Sequence, residues 1–150
     1  MELVRVNLND PDAFSHAVHY VATRVNIPAQ FLRPVDILQV EDGDERLGVV
    51  LFNNYRSLAP GKYTVQATFA ADSSRAWTRS IIKDLFKTPF ETGQCVRVEA
   101  RCSAENHKVA DYLERSGFTL EGRLQRGWDG EIDEMVYGMT KENCRWLGED

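Results

Sequence analysis

Apolar residues recur at helical spacing near the start of the chain: Phe14, Ala17, Val18, Val21, Ala22 and Val25 fall on one face of a helix over residues 12–25. Asp10 and Pro11 stand at its start, where a side-chain acceptor and a fixed φ both suit a first turn. Residues 28–34, bounded by Pro28 and Pro34, break that period. A short strand is expected over 37–40, after which Asp42-Gly43-Asp44 turns the chain. The run 46–55 carries Leu47, Val49, Val50, Leu51 and Phe52. Pro60-Gly61 then leads into 62–70, where Tyr63, Val65, Ala67 and Phe69 alternate with Thr64, Gln66 and Thr68. That alternation predicts an antiparallel pair covered on one face.

The period changes again over 74–88, a second helix with Trp77, Ile81, Ile82, Leu85 and Phe86 on one face and Pro89 as its stop. Over 95–102, Val96, Val98, Ala100 and Cys102 alternate with Arg97, Glu99 and Arg101, so this segment reads as a strand. A third helix runs from Asn106 to Gly117 and hands over to a strand at 118–123. Trp128-Asp129-Gly130 then turns the chain, and 133–139 pairs back. Strand, crossover helix and strand, followed by a helix and a hairpin, predict a mixed α/β domain over 1–150. Its sheet is twisted and mostly antiparallel, with one parallel pair and helices on both faces.

Composition changes this picture little. The 150 residues are enough for one domain with its own core, and 43% hydrophobic with 27% charged residues is ordinary for a globular protein. A net charge of −5 argues against a nonspecific nucleic-acid binder. No apolar run approaches the roughly 18 residues that span a bilayer, so no membrane partner is expected. Residues 1–7 lack the basic start and apolar core of a secretory signal, which makes a cytoplasmic location the expectation. Cys95, Cys102 and Cys144 form no C-x-x-C pair and read as buried thiols; with His16 and His19 read as surface residues, no metal site is expected.

Two junctions carry candidate chemistry. At Phe69-Ala70-Ala71-Asp72-Ser73-Ser74-Arg75-Ala76-Trp77 a strand meets a helix start, where unpaired N–H groups and the helix dipole favour an anion. Asp72, Ser73 and Ser74 are equally good N-cap residues, and Trp77 reads as a core anchor. Asn106 and Gly117 likewise suit the two ends of the third helix.

The order of Asn106, helix, Gly117-Phe118, Glu121-Gly122-Arg123 and a returning strand with Asp133 and Tyr137 resembles the C-terminal half of the GNAT acetyltransferases, the ribosomal-protein N-terminal type above all. The resemblance implies acetyl-coenzyme A as cosubstrate, wedged where strands 62–70 and 95–102 splay apart. It also implies N-acetylation of an amine acceptor, either a protein or peptide amine or a small amine. A homodimer is compatible with it. The coenzyme contacts it implies are Phe69, Ala70, Ala71, Ser73, Ser74, Arg75, Ala76 and Trp77, with the phosphates at 72–77, and Asn106 beside the pantetheine arm.

The family's phosphate loop reads Arg or Gln, two residues, Gly, one residue, then Gly or Ala. Here Ala71 and Ser74 replace the first two, and Ala76 fits the last. Arg75 or Arg79 could supply charge in compensation. Relatives carry an acid three residues after the Asn or four before the Gly, positions held here by Val109 and Leu113. Tyr112 is the neighbouring candidate acid, and Glu99 the candidate base or else one rung of a surface charge ladder. The altered loop and the apolar acid positions define an alternative: a catalytically weak or inactive module of this fold that binds another protein.

Overall fold

The structure is a computed structural model describing residues 1–148. Its strands are β1 (Glu2–Arg5), β2 (Asp36–Asp42), β3 (Glu45–Ala59), β4 (Lys62–Ala71), β5 (Cys95–Ser103), β6 (Thr119–Leu124) and β7 (Glu134–Thr140). They form one seven-stranded sheet in the order β1-β2-β3-β4-β5-β7-β6. The β4–β5 pair is parallel and the other pairings are antiparallel, as the alternating patterns require. The crossover between β4 and β5 carries the helix α2 (Arg79–Lys87).

Because side chains alternate across a strand, the sheet builds a separate core on each face. On one face α1 (Pro11–Val25) packs Ala17, Val18 and Val21 against Ile37, Val49, Leu51 and Ala70. On the other, α2 and α3 (His107–Arg115) cover Val50, Val65, Ala67, Phe69, Val98 and Ala100 with Ile82, Leu85, Phe86 and Leu113. Among the described residues no helix is long and apolar enough to cross a membrane.

The helix expected over 74–88 is three pieces. Ser74–Ala76 is a single 3-10 turn whose Arg75 N–H is capped by Ser73 Oγ. The backbone of Trp77 then leaves helical geometry at ψ 62°, and Thr78 Oγ1 caps the Ile81 N–H to start α2 at Arg79. Two hydroxyl caps within six residues divide what periodicity alone reads as one helix. Pro89 does not stop the chain's winding; it sits in the first turn of a wider turn, Thr88–Thr92, where its missing N–H costs nothing. β1 was not expected, because a four-residue edge strand with only partly covered side chains leaves little pattern. β3 runs on to Ala59, past the expected end at residue 55, into an exposed hairpin arm.

Two features place the future site. β4 and β5 pair only from Tyr63↔Cys95 to Ala67↔Ala100. Beyond that β4 stays with β3 as far as Ala71↔Gly48, while β5 stays with β7 as far as Ser103↔Glu134, so a crevice opens between them. The turn after β4 is seated on β3 at Gly48, where a Cβ would stand 3.1 Å from Ala76 Cβ and 3.2 Å from the Trp77 ring.

At the other rim, α3 ends as its sequence predicts. Gly117 at φ 105° lets its own N–H bond Glu114 O (3.1 Å) and the Phe118 N–H bond Leu113 O (3.0 Å). The Asp129-Gly130 turn lies within a longer loop, residues 125–133, where Asp129 Oδ1 accepts from the Glu131 and Ile132 N–H groups. Asp133 in turn holds the Arg126 N–H and the Arg123 side chain.

Candidate functional site

Past Ala67 the edge of β4 that faced β5 has no strand partner. Alternate residues of Thr68–Ala71 therefore present backbone N–H and C=O groups that the β3 ladder does not use. At the end of this edge lies a cavity of about 400 Å³. Phe69, Ala70, Ala71, Asp72, Ser73, Ser74 and Trp77 form one side of it. The end of α1 supplies Arg24 and Val25, and α3 with its cap supplies Asn106, Lys108, Val109, Tyr112 and Arg115. A narrow cleft shares Val25, Phe69, Asn106 and Val109 with this cavity and continues into the splay, between Thr68 and Arg101 and against Trp128. The site is thus a wide mouth of mixed polar and apolar lining, beside a cleft of about 10 Å³ between the two strands.

The mouth is cationic. Arg24, Lys108 and Arg115 line it against one carboxylate, Asp72. Arg24 grips that carboxylate with both arms, Nε to Oδ1 at 2.8 Å and Nη2 to Oδ2 at 2.9 Å. The Arg24 guanidinium holds the Asp72 carboxyl below its ordinary pKa. Arg115 is paired to Asp111 on its own helix at 2.9 Å. Lys108 Nζ reaches the Asp72 carbonyl oxygen at 3.4 Å.

Of the residues singled out from sequence, Phe69, Ala70, Ala71, Ser73, Ser74, Trp77, Asn106 and Tyr112 come together here. Asn106 caps α3, its Oδ1 accepting the Val109 N–H at 3.2 Å, which leaves its NH2 as the donor it can offer. Trp77 meets Phe69 edge-on at 5.7 Å and Tyr112 at 5.5 Å, so it is an anchor that shows one side to the cavity. Arg75 is not brought to the mouth; it turns to Asp42 (2.8 Å) and Glu45 (3.9 Å) beyond the β2–β3 turn. Ala76 is fully buried beneath the turn, on Gly48. Arg79 lies elsewhere, beside Ile82, Arg145 and Trp146.

The candidate proton-transfer groups are constrained. Tyr112 presents its ring, while its hydroxyl oxygen is sealed from solvent with no hydrogen-bond partner among the described residues. Burial pushes the phenol above its ordinary pKa. Glu99 does not line the cavity; its oxygens lie 3.0 Å from Arg97 and 3.9 Å from Arg101, a rung in a ladder completed by Arg97–Glu121 and Arg101–Glu134. Val109 and Leu113 give the channel apolar walls. Cys102, also on the channel, is pushed by burial up to about 11, so it stays a protonated thiol.

Sequence reasoning missed Arg24, Lys108, Arg115 and Trp128. Nothing local marks them: Arg24 reads as a cation in the last turn of a helix, and only the fold carries it to a loop 48 positions away.

No family model matches the sequence, and no curated protein matches it significantly. Solved structures do match. RimL, a ribosomal L7/L12 alpha-N-protein acetyltransferase in its apo form, is 19% identical with a TM-score of 0.58, over 70% of this chain and 60% of RimL. A chimera of the spermidine N-acetyltransferase SpeG from Vibrio cholerae with hSSAT is 16% identical with a TM-score of 0.69, over 99% of this chain and all of the chimera, 100%. The chain has the GNAT acetyltransferase fold. RimJ from Mycobacterium smegmatis, in complex with CoA-disulfide, shares that GNAT fold at 24% identity and a TM-score of 0.58, over 73% of this chain and 55% of RimJ. The chain thus spans less than two-thirds of apo RimL and of RimJ but the whole of the SpeG chimera. Within the GNAT fold of this chain, the opening between β4 and β5 is the crevice described above.

Proposed function

We propose that the protein is an acetyl-coenzyme A-dependent N-acetyltransferase acting on a protein or peptide amine or on a small amine. The observation that carries this reading is a mouth lined by Arg24, Lys108 and Arg115 beside the opening where β4 and β5 part. Coenzyme A has the same build, a polyanionic nucleotide end on a narrow pantetheine arm. Ser73, Ser74, Arg24 and Lys108 are the groups that would meet the phosphates, and Asn106 and the free edge of β4 would meet the arm's amides. The neighbours' named activities, on ribosomal protein and on spermidine, support an amine acceptor. The phosphate loop is atypical, since Ala71 and Ser74 stand where relatives carry Arg or Gln and Gly.

Acetyl transfer joins the amine nitrogen to the thioester carbonyl carbon, breaks the carbon–sulfur bond and releases a thiol after one proton moves. Binding both reactants in one crevice supplies proximity, and the unpaired backbone N–H groups beyond Ala67 are donors placed to polarise a carbonyl. With Val109 and Leu113 apolar and the Tyr112 hydroxyl sealed, the leaving thiolate takes its proton from solvent or from the acceptor nitrogen, which sheds one as it becomes the amide.

Thermal unfolding with and without acetyl-coenzyme A tests the reading. Ligand at about 100 times its dissociation constant contributes roughly 2.7 kcal/mol, a rise of several degrees for a domain of this length. Ser74→Glu puts a carboxylate into the mouth and is expected to abolish the rise. No shift for the wild type at millimolar coenzyme would overturn the enzymatic reading and leave a binding module of the same fold. An undiminished shift in Ser74→Glu would refute the placement of the phosphates.

A further inference from the structure

Asp72 is out of place in a mouth built for phosphates, where a carboxylate opposes the ligand by like charge. Its side chain is 73% exposed and free to turn to water, yet it is held by the fork of Arg24, itself only 28% exposed. The guanidinium does not depend on Asp72 for its position. Its Nη1 donates to Tyr20 O at 3.0 Å, and its centre lies 3.4 Å from the centroid of the Tyr20 ring. From the opposite helical layer Lys108 approaches the backbone of the same residue, with two of its ammonium hydrogens uncommitted to Asp72 O. Asp72 therefore sits where a cation from α1 and a cation from α3 converge on one cavity.

The loop offers a phosphate only hydroxyl and amide donors and no cation of its own. It has no glycine, the N–H of Arg75 is taken by Ser73 Oγ at 3.3 Å, and the Arg75 side chain points away to Asp42. A planar fork that fits a carboxylate fits a phosphate equally well.

We propose that the Asp72 carboxylate is a placeholder for ligand phosphate: it occupies the fork of Arg24 in the empty protein, and the pyrophosphate of coenzyme A replaces it between Arg24 and Lys108. This rests on the coenzyme reading above and adds to it that the anchor is side-chain and cross-cleft, with an internal anion competing for it. Arg24 and Lys108 are then binding residues, and Asp72 is an autoinhibitory one.

The test is calorimetric titration of coenzyme A into the full chain at low salt, with each variant's circular dichroism and melting temperature confirming its fold. Asp72→Asn keeps the shape and removes the charge; it is expected to tighten binding about threefold or more, because an internal carboxylate no longer competes for the Arg24 fork. Arg24→Gln is expected to weaken it about tenfold or more by removing a charge-assisted fork, with Arg24→Lys falling between. Lys108→Gln is expected to weaken it less, by an amount that shrinks as salt is raised. In Arg24→Gln the gain from Asp72→Asn is expected to be largely lost. The same pattern is expected with dephospho-coenzyme A, which keeps the pyrophosphate.

Binding that weakens or stays level in Asp72→Asn would make the pair a scaffold and overturn the proposal while leaving the coenzyme reading intact. A pattern that disappears with dephospho-coenzyme A would overturn it as well. No binding by wild type and Asp72→Asn alike would remove the coenzyme reading and the placeholder together, whereas binding by Asp72→Asn alone would support both.

Discussion

Tyr112→Phe separates the two roles that Tyr112 can have. The phenol ring packs against Phe69 at 5.6 Å and Trp77 at 5.5 Å, contacts that phenylalanine keeps. What the substitution removes is one oxygen that is buried without a hydrogen-bond partner. The nearby Ser116 hydroxyl donates to the Tyr112 carbonyl at 2.9 Å, and the phenol lies outside hydrogen-bonding geometry with it. An unsatisfied buried polar group costs about 1–3 kcal/mol. Losing a few dispersion contacts of the oxygen offsets a fraction of that gain.

The variant is therefore expected to be stabilised by about 1 kcal/mol, which raises the melting temperature by about 2–4 °C in a domain of this length. Scanning calorimetry reads that directly. Steady-state transfer assays supply the second readout, with kcat expected to stay within about threefold, because a sealed hydroxyl is not the group that returns a proton. A fall in kcat of about a hundredfold or more would make Tyr112 the general acid and require its hydroxyl to reach the channel. A lower melting temperature would show that the oxygen is satisfied after all, and the reasoning from burial would fail.

Two further outcomes bear on the frame around the site. Phe86 is 1% exposed and packs on Phe90 at 6.2 Å and Phe118 at 5.9 Å; Phe86→Ala is expected to cost about 3–5 kcal/mol, on the order of 10 °C in melting temperature, while the coenzyme affinity of the folded fraction is unchanged. Asp133 is held below its ordinary pKa by the Arg126 N–H and then by Arg123, and Glu121 by Arg97. A depressed carboxyl stabilises the fold above its ordinary value near 4 and loses that contribution as pH falls through its lowered value, so melting temperature is expected to drop below about pH 4. Asp133→Asn is expected to show a shallower drop; an identical pH profile in that variant would refute the assignment.

Much of the frame was legible because its signals are local. Two-residue alternation marks β4 and β5, and the cap at Gly117 needs only six consecutive residues to state itself. The misread helix over 74–88 shows where local signals compete. Ser73 and Thr78 are both hydroxyl caps, and periodicity cannot say which of them starts the helix; packing decides it, by seating Ala76 and Trp77 on Gly48 of a different strand. The resemblance places Arg75 among the phosphate contacts, as a charge in compensation for the missing glycine. A single turn of 3-10 geometry was enough to send it to Asp42 instead.

The site's charge was illegible for a deeper reason. Arg24 and Lys108 are separated by most of the chain and belong to helices on opposite faces of the sheet, so no spacing rule joins them. They meet because β4 and β5 part: with the strands zipped past Ala67, the sheet would stand between α1 and α3. The same parting that opens a channel for a thin arm thus also lets two layers contribute cations to its mouth. On the proposed reading, anion affinity is a property of the sheet's topology more than of the loop sequence. On that reading a loop without glycine can border a phosphate site, provided the opening between the strands is kept.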